Sequence, residues 1–241
     1  NNNTLSSLPE VFNKLRSLKV LELQFNALTE LSNLSCLTQL IYLNLRNNQF
    51  STYPKELSEF TLLEGLSLSG NHLSSLPSLA PLQNLKSLYL QYNKLTSLPE
   101  DIGTLTSLKE LDIYKNKLSE LPVNIGQLTA LTKLNANHNE LSCLPNSFAN
   151  LTQLMLLKME QNKLEELPKN FGNLRNLWLL HLRKNNLFTL PESFSQLALL
   201  CYLDLRQNKL TNLPEGFGNL KSLEVLRLQN NTLSELPESI G

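Results

Sequence analysis

One eleven-residue pattern recurs ten times along this chain, and it constrains the fold more than any other feature of the sequence. It reads LKVLELQFNAL from Leu18, LKSLYLQYNKL from Leu85 and LCYLDLRQNKL from Leu200. The ten units, numbered in chain order, start at Leu18, Leu40, Leu63, Leu85, Leu108, Leu131, Leu154, Leu177, Leu200 and Leu223. Successive starts lie 22 or 23 residues apart. A regular internal period of this length predicts stacked units that share one continuous core.

Within each unit, residues are numbered by place, counted from the first leucine. Places 4 and 6 are apolar on either side of a polar residue, as in Leu88-Tyr89-Leu90. This alternation predicts a short, half-buried strand that needs parallel neighbours to be stable. Place 9 is always asparagine: Asn26, Asn48, Asn71, Asn93, Asn116, Asn139, Asn162, Asn185, Asn208 and Asn231. We expect these amides to bond backbone groups within and between units where the chain leaves the strand, so their role is structural.

The second half of a typical unit reads LPxxIGxLxxL, as in LPEDIGTLTSL ending at Leu108 and LPVNIGQLTAL ending at Leu131. Proline fixes φ and lacks an N–H donor, so this arm is not a strand inside a sheet. About eight residues separate the proline from the next unit, which predicts extended or 3₁₀ turns on the convex side. Because strands pack closer together than these arms, the sheet should curve, with an inner length of roughly 50 Å.

The pattern LxxLxLxxNxL resembles the signature of the leucine-rich-repeat family, and the resemblance covers essentially the whole chain. It implies an α/β fold: a curved right-handed solenoid with a parallel concave sheet, 3₁₀ or extended turns on the convex side and few true helices. We expect residues 1–241 to form a single leucine-rich-repeat domain with partial units at both ends. Because the array starts and stops within a unit and shows no obvious caps, we expect it to belong to a longer protein.

Charge and composition favour some classes of protein over others. The 21 basic and 21 acidic residues give no net charge, which argues against a nucleic-acid-binding protein. No apolar run approaches the ~20 residues that span a bilayer, and the NNNT start has no features of a signal peptide. Cys36, Cys143 and Cys201 are far apart and form no CxxC pair. They predict reduced thiols and a cytoplasmic location.

Motifs of catalysis and metal binding are not found in the sequence. There is no GxxxxGK[ST], no GxGxxG after a strand and no GxSxG. His72, His138 and His181 fall at different places of their units and lack the spacing of metal ligands. We therefore predict that the chain is not an enzyme and needs no cofactor or metal.

An apolar stripe is the first candidate for a binding surface, since places 3, 5, 7 and 8 should point outward from the concave sheet. Four consecutive units carry apolar residues at place 3: Leu156, Leu179, Tyr202 and Val225. Beside them, place 2 holds Met155, Trp178 and Cys201. Large exposed apolar patches usually mark contact surfaces, and tryptophan is a favoured interface anchor. The alternatives are that place 2 lies under the rim, or that a further C-terminal segment covers the stripe.

A second candidate is aromatic. Tyr89 and Tyr92 lie in one unit, Tyr114 in the next and His138 one unit further. Adjacent strands are ~5 Å apart, which should bring these rings within reach of one another. Tyrosines on a concave sheet favour contact with a partner.

A third candidate is basic. His181, Arg183, Lys184, Arg206 and Arg227 share the C-terminal half of the same face, interrupted by Asp204. Such a cluster could meet an acidic protein surface or a phosphate. The alternative is an ordinary solvated surface of mixed sign.

The leading functional prediction is a protein–protein interaction module. The LPxxIGxL type resembles the repeat arrays of cytosolic scaffolds that bind small GTPases or phosphatases. It also resembles effectors that bacteria deliver into host cells, where the partner is a host signalling protein. Two alternatives stay open: an extracellular recognition receptor ectodomain, and the substrate-binding part of a larger enzyme such as a ubiquitin ligase.

Overall fold

The computed structural model describes residues 3–240, and its dominant feature is one ten-stranded parallel sheet whose strand order follows the chain. The strands are β1 Val20–Glu22, β2 Tyr42–Asn44, β3 Gly65–Ser67, β4 Ser87–Tyr89, β5 Glu110–Asp112, β6 Lys133–Asn135, β7 Leu156–Lys158, β8 Leu179–His181, β9 Tyr202–Asp204 and β10 Val225–Arg227. Each strand covers places 3 to 5 of its unit, and the register pairs equal places, as Leu88 with Leu111. The predicted parallel sheet is confirmed.

Short 3₁₀ helices alternate with the strands. They are η1 Glu10–Lys14, η2 Lys55–Glu59, η3 Ala80–Leu82, η4 Glu100–Thr104, η5 Val123–Gln127, η6 Asn146–Asn150, η7 Phe171–Asn173, η8 Glu192–Gln196, η9 Glu215–Asn219 and η10 Glu238–Ile240. Most follow directly on the proline of the unit, as η4 follows Pro99, whose φ of −68° suits the entry to a helical turn. No α-helix occurs in residues 3–240, so the prediction of 3₁₀ turns is confirmed.

The core is one continuous column of apolar side chains between the sheet and the 3₁₀ turns. It runs from Leu8 to Leu220, and most of its leucines have no exposed surface. Burying one such side chain contributes about 2 kcal/mol before the entropy of ordering is counted. Because every unit shares its core with the next, the stability of one unit depends on its neighbours.

Four phenylalanines stack along the convex layer of the C-terminal half, in the position that Ile102 and Ile125 occupy earlier. The ring centroids of Phe148, Phe171, Phe194 and Phe217 are 6.4, 6.0 and 6.3 Å apart in turn, with ring planes within 5° of parallel. Neighbouring strands of a sheet lie ~4.8 Å apart. The units are therefore wider apart on the convex side than in the sheet, as a concave sheet requires.

The place-9 asparagines connect each unit to the one before it. In unit 5, the Leu95 N–H donates to the Asn116 Oδ1 at 3.0 Å. The Asn116 Nδ2 donates to the carbonyl oxygens of Leu90 and Ile113, both at 3.1 Å. The other nine place-9 asparagines accept the equivalent N–H bond, from place 11 of the preceding unit where that unit is complete. The predicted structural role of these residues is confirmed.

Every place-8 residue has a left-handed backbone. Nine of the ten are not glycine, and their φ angles lie between 51° and 61°. They are Phe25, Asn47, Tyr92, Lys115, His138, Gln161, Lys184, Gln207 and Asn230, with Gly70 as the tenth. A left-handed residue other than glycine costs roughly 1–2 kcal/mol. Hydrogen bonds between units hold this conformation, as where the Tyr92 N–H donates to the Tyr114 carbonyl at 2.9 Å.

Replacing Asn116 with alanine should lower the free energy of unfolding by about 3 kcal/mol, because two buried carbonyls and one N–H lose their partners. Urea denaturation followed by circular dichroism measures this loss. Asn146→Ala, at an exposed asparagine of η6, is the matched control and should change little. Equal losses in the two variants would contradict the role of the asparagine bonds.

Replacing Lys184 with valine should destabilise the protein by about 1–2 kcal/mol, because a β-branched residue tolerates a φ of 55° poorly. Lys184→Gly should retain or raise stability, since glycine adopts this φ without strain. Lys109→Val is the control, because Lys109 occupies place 2, where Ile41 stands in unit 2. Thermal melting distinguishes the three; a glycine variant less stable than the valine variant would refute the argument.

Candidate partner-binding face

The apolar stripe forms a contiguous surface on the C-terminal half of the concave sheet. Its four place-3 residues lie directly opposite one another on β7 to β10, in the order Leu156, Leu179, Tyr202 and Val225. All four side chains are half-buried, so their outer faces meet solvent. Together with Met155, Trp178 and Cys201 they are called the apolar patch below. That the patch binds a partner stays a prediction.

Place 2 does not lie under the rim. Trp178 is 48% exposed and Met155 is 50% exposed, while the Trp178 N–H donates to the Met155 carbonyl at 2.9 Å. The backbone bond fixes the two residues in register on neighbouring units. They extend the apolar surface along the entry side of the strands.

Part of the predicted aromatic cluster is a row of rings on the loops that leave the strands. Tyr92 and Tyr114 meet edge to face with centroids 5.1 Å apart, and Tyr114 meets His138 in the same way at 5.0 Å. Lys115 places its Nζ 5.0 Å from the Tyr92 centroid. Burial, together with the charge of Lys115, lowers the pKa of His138, so its ring stays neutral at neutral pH.

Tyr89 lies apart from that row, because it occupies place 5 on β4 whereas Tyr92 occupies place 8 of the same unit. Its hydroxyl donates to the Glu110 Oε2 at 2.8 Å. The Lys133 ammonium bonds the other oxygen of this carboxylate, and the bonds from Lys133 and Tyr89 lower the pKa of Glu110. These residues line a depression of about 180 Å³ at the centre of the sheet, beside Leu156.

The predicted basic cluster is largely satisfied from within the protein. The His181 Nδ1 lies 2.7 Å from the Glu160 Oε1, and the hydrogen bond from His181 lowers the pKa of Glu160. The Arg183 Nε donates to the Gln207 Oε1 at 2.8 Å. These side chains form a fixed polar border beside the apolar patch rather than a set of unpaired cations.

Asp204 is the centre of this border. Its side chain is only 1% exposed, and the Arg206 guanidinium donates to both carboxylate oxygens, from Nε at 2.9 Å and from Nη2 at 2.5 Å. Arg227 approaches to 3.9 Å and also lies over the Tyr202 ring at 5.3 Å. Burial alone raises the pKa of Asp204, but the bonds from Arg206 outweigh it and the net shift is downward.

Several polar contacts of the structure could not be predicted from the sequence pattern. Glu160 at place 7 pairs with His181 at place 5 of the next unit, a diagonal contact that side-chain direction decides. Ion pairs between equal places are predictable from the unit spacing, because each lysine follows its glutamate by one unit. These pairs are Glu64 with Lys86, Glu110 with Lys133 and Glu140 with Lys163.

In residues 3–240, no group of three or more histidine, cysteine, aspartate or glutamate side chains is arranged to hold a metal ion. None of the helices in that range has the length and apolar character needed to cross a bilayer.

The fold and this surface define a class: a parallel-sheet solenoid that offers a concave face for binding. Family descriptions of the same class match the sequence, as "Leucine-rich repeat region" over residues 2–117, "Leucine Rich Repeat" over 107–128 and 130–151, and "Leucine rich repeat" over 189–233. None of them is a catalytic family. The chain belongs to the leucine-rich-repeat family, whose fold is that of a protein-interaction module.

Solved structures of several such proteins are similar to this chain. A leucine-rich-repeat protein of Leptospira interrogans is 34% identical with a TM-score of 0.70, covering 100% of this chain and 74% of its own. YopM from Yersinia enterocolitica is 30% identical with a TM-score of 0.74, covering 98% and 47%. The ectodomain of the receptor kinase GASSHO1/SCHENGEN3 from Arabidopsis thaliana is 30% identical with a TM-score of 0.85, covering 97% and 30%. This chain thus spans less than half of the last two. No curated protein matches the sequence.

Replacing Asp204 with asparagine should lower the free energy of unfolding by about 2 kcal/mol at neutral pH, because Arg206 loses charged hydrogen bonds. The folded-state pKa lies below the ordinary value of 3.8, so this stabilisation is present above that pH and is lost as pH falls through the folded pKa. Urea denaturation at neutral pH and at about pH 2.5 should therefore show the difference between wild type and variant shrink. A difference that does not change with pH, or an equal effect of Glu120→Gln at an exposed site, would contradict the assignment.

Proposed function

We propose that this chain recognises a protein partner by burying the apolar patch, with Trp178 and Tyr202 as its anchors. One observation carries the proposal: half-buried apolar side chains on four consecutive strands turn their outer faces to solvent on the concave face, with two large exposed side chains beside them. Covering such a surface is favourable by roughly 25 cal/mol for each Å² of apolar area removed from water.

The polar border of the patch supports this proposal. Arg227 lies over the Tyr202 ring, and His181 lies against the same ring with centroids 5.0 Å apart. Rings held in this way lose little conformational freedom when a partner covers them, which favours tight binding. Arg183, Arg206 and Arg227 would then orient the partner through their remaining donors rather than supply most of the affinity.

The row of Tyr92 and Tyr114 is a second contact of the proposed face. It lies on the loops that leave the strands of units 4 and 5, whereas the patch begins at unit 7. Tyr89 belongs to it through the central depression. A partner that spans both regions would contact much of the concave face.

Comparison with a similar protein supports a polypeptide ligand. The GASSHO1/SCHENGEN3 ectodomain was solved in complex with Casparian strip integrity factor 2. By analogy, this chain binds a protein or peptide segment. We place it in the cytoplasm, as a signalling scaffold or as an effector delivered into a host cell, because its repeat type resembles those arrays. A small GTPase, a phosphatase or another host signalling protein is the partner class this implies.

The similarity to a receptor ectodomain favours a second candidate, recognition of an extracellular peptide. The two candidate functions can be distinguished by expressing the full-length protein with a cleavable tag at each terminus and fractionating the cells. Recovery in the cytosol supports the scaffold or effector; recovery outside the cell supports the receptor. The substrate-binding part of a larger enzyme is consistent with either location.

The double variant Trp178→Ala/Tyr202→Ala should lose its partner. Quantitative affinity purification compares wild type, this variant and Phe188→Ala, which removes an aromatic side chain that is 50% exposed and outside the strands. We expect at least one protein to be retained by wild type and by Phe188→Ala, and its recovery to fall at least about tenfold with the double variant, since interface anchors contribute 2 kcal/mol or more. Equal recovery with all three proteins would exclude the patch.

A further inference from the structure

A groove lies among the loops that leave the strands of units 2 to 5, at a distance from the apolar patch. It holds about 620 Å³, and its lining includes Arg46, His72, Lys94 and Lys115, with Tyr92 as one wall. No aspartate or glutamate is among the residues that line it. All four basic side chains are exposed.

Gly70, at place 8 of unit 3, lies in the lining of the groove. The other nine units have a side chain there. The Asn47 side chain lies over Gly70, and a Cβ at Gly70 would overlap its oxygen, so any larger residue would displace Asn47 and change the shape of the groove.

The cations of the groove lack the glutamate partner that several lysines elsewhere in the array have. Three lysines outside it each pair with a glutamate at the same place of the preceding unit. In the groove, Lys94 at place 10 of unit 4 instead follows His72 at place 10 of unit 3. No ion pair within residues 3–240 involves Arg46, Lys94 or Lys115. Like charges that lie close together without an ion-pair partner are mildly destabilising.

Two of these cations are held in place by aromatic rings. The Lys115 Nζ lies 5.0 Å from the Tyr92 centroid and 5.5 Å from that of Tyr114, and the Arg46 guanidinium lies 5.7 Å from that of Phe25. Such contacts restrict the side chains without using their hydrogen-bond donors. The donors stay available to an anion, and less entropy is lost when it binds.

We infer that this groove binds an acidic segment of a polypeptide, whose carboxylates meet Arg46, Lys94 and Lys115 around Gly70. A polypeptide fits better than a nucleic acid for two reasons. The basic surface is confined to a few units of a chain with no net charge, whereas a nucleic acid needs a long basic track. The groove also lacks an exposed row of rings with gaps for bases, because Tyr92 and Tyr114 pack against each other.

The test is binding of a fluorescently labelled oligoglutamate peptide, measured by fluorescence anisotropy at low and at physiological salt. Wild type should bind it, and the affinity should fall as salt screens the charges. Lys94→Gln/Lys115→Gln should weaken binding about tenfold, which corresponds to two partly screened ion pairs. Gly70→Asn should weaken it as well, because asparagine tolerates this backbone and would displace the Asn47 side chain within the groove without changing the charge.

Two control variants separate the groove from general charge and from the apolar patch. Lys169→Gln/Lys221→Gln removes the same charge at exposed sites elsewhere and should bind like wild type. Trp178→Ala/Tyr202→Ala should also bind like wild type, because this inference does not rest on the concave-face proposal. No binding by wild type, equal loss in a control variant, full binding by Gly70→Asn, or tighter binding of duplex DNA than of oligoglutamate would overturn it.

Discussion

The bonds of the place-9 asparagines are the interaction on which the rest of this structure depends. A strand of three residues leaves most of its unit's backbone without strand partners, and buried backbone groups without partners are costly. Each asparagine satisfies an N–H of the preceding unit and carbonyls of both units, as Asn116 does for Leu95, Leu90 and Ile113. The turn that these bonds close allows the next arm to return across the core. Units joined this way stack in register, and the equal-place pairing of the sheet follows.

That register creates the proposed binding surface. Because equal places lie opposite one another, a residue type repeated at one place becomes a continuous strip across the sheet. Four apolar residues at place 3 are thereby a surface and not four isolated side chains. The same rule turns a glutamate and a lysine one unit apart into an ion pair, and lysines at one place into a basic column. The left-handed place-8 residues lie along the edge where the chain leaves the strands, and Gly70 is the one residue among them without a side chain.

Features that depend on burial and period could be predicted from the sequence. The leucines at places 4 and 6, the place-9 asparagines and the prolines of the arms each repeat, so the parallel sheet and the 3₁₀ turns followed from them. The left-handed place-8 backbone could not be predicted, because residues as different as Phe25, Lys115 and His138 adopt it. Bonds from neighbouring units impose that conformation, so residue type does not encode it. The pairing of Asp204 with Arg206 likewise depends on side-chain direction; both residues were visible in the sequence, but the burial of Asp204 was not.

The central claim is that the concave face, and not the convex turns, meets the partner. Site-specific photo-crosslinking tests it most directly, with a benzophenone amino acid at Leu179 on the sheet or at Val123, which is exposed on η5. Irradiation in the native host should link the partner to the protein labelled at position 179 and leave the protein labelled at position 123 unlinked. Crosslinks of the same partner at position 123, with none at 179, would contradict the account.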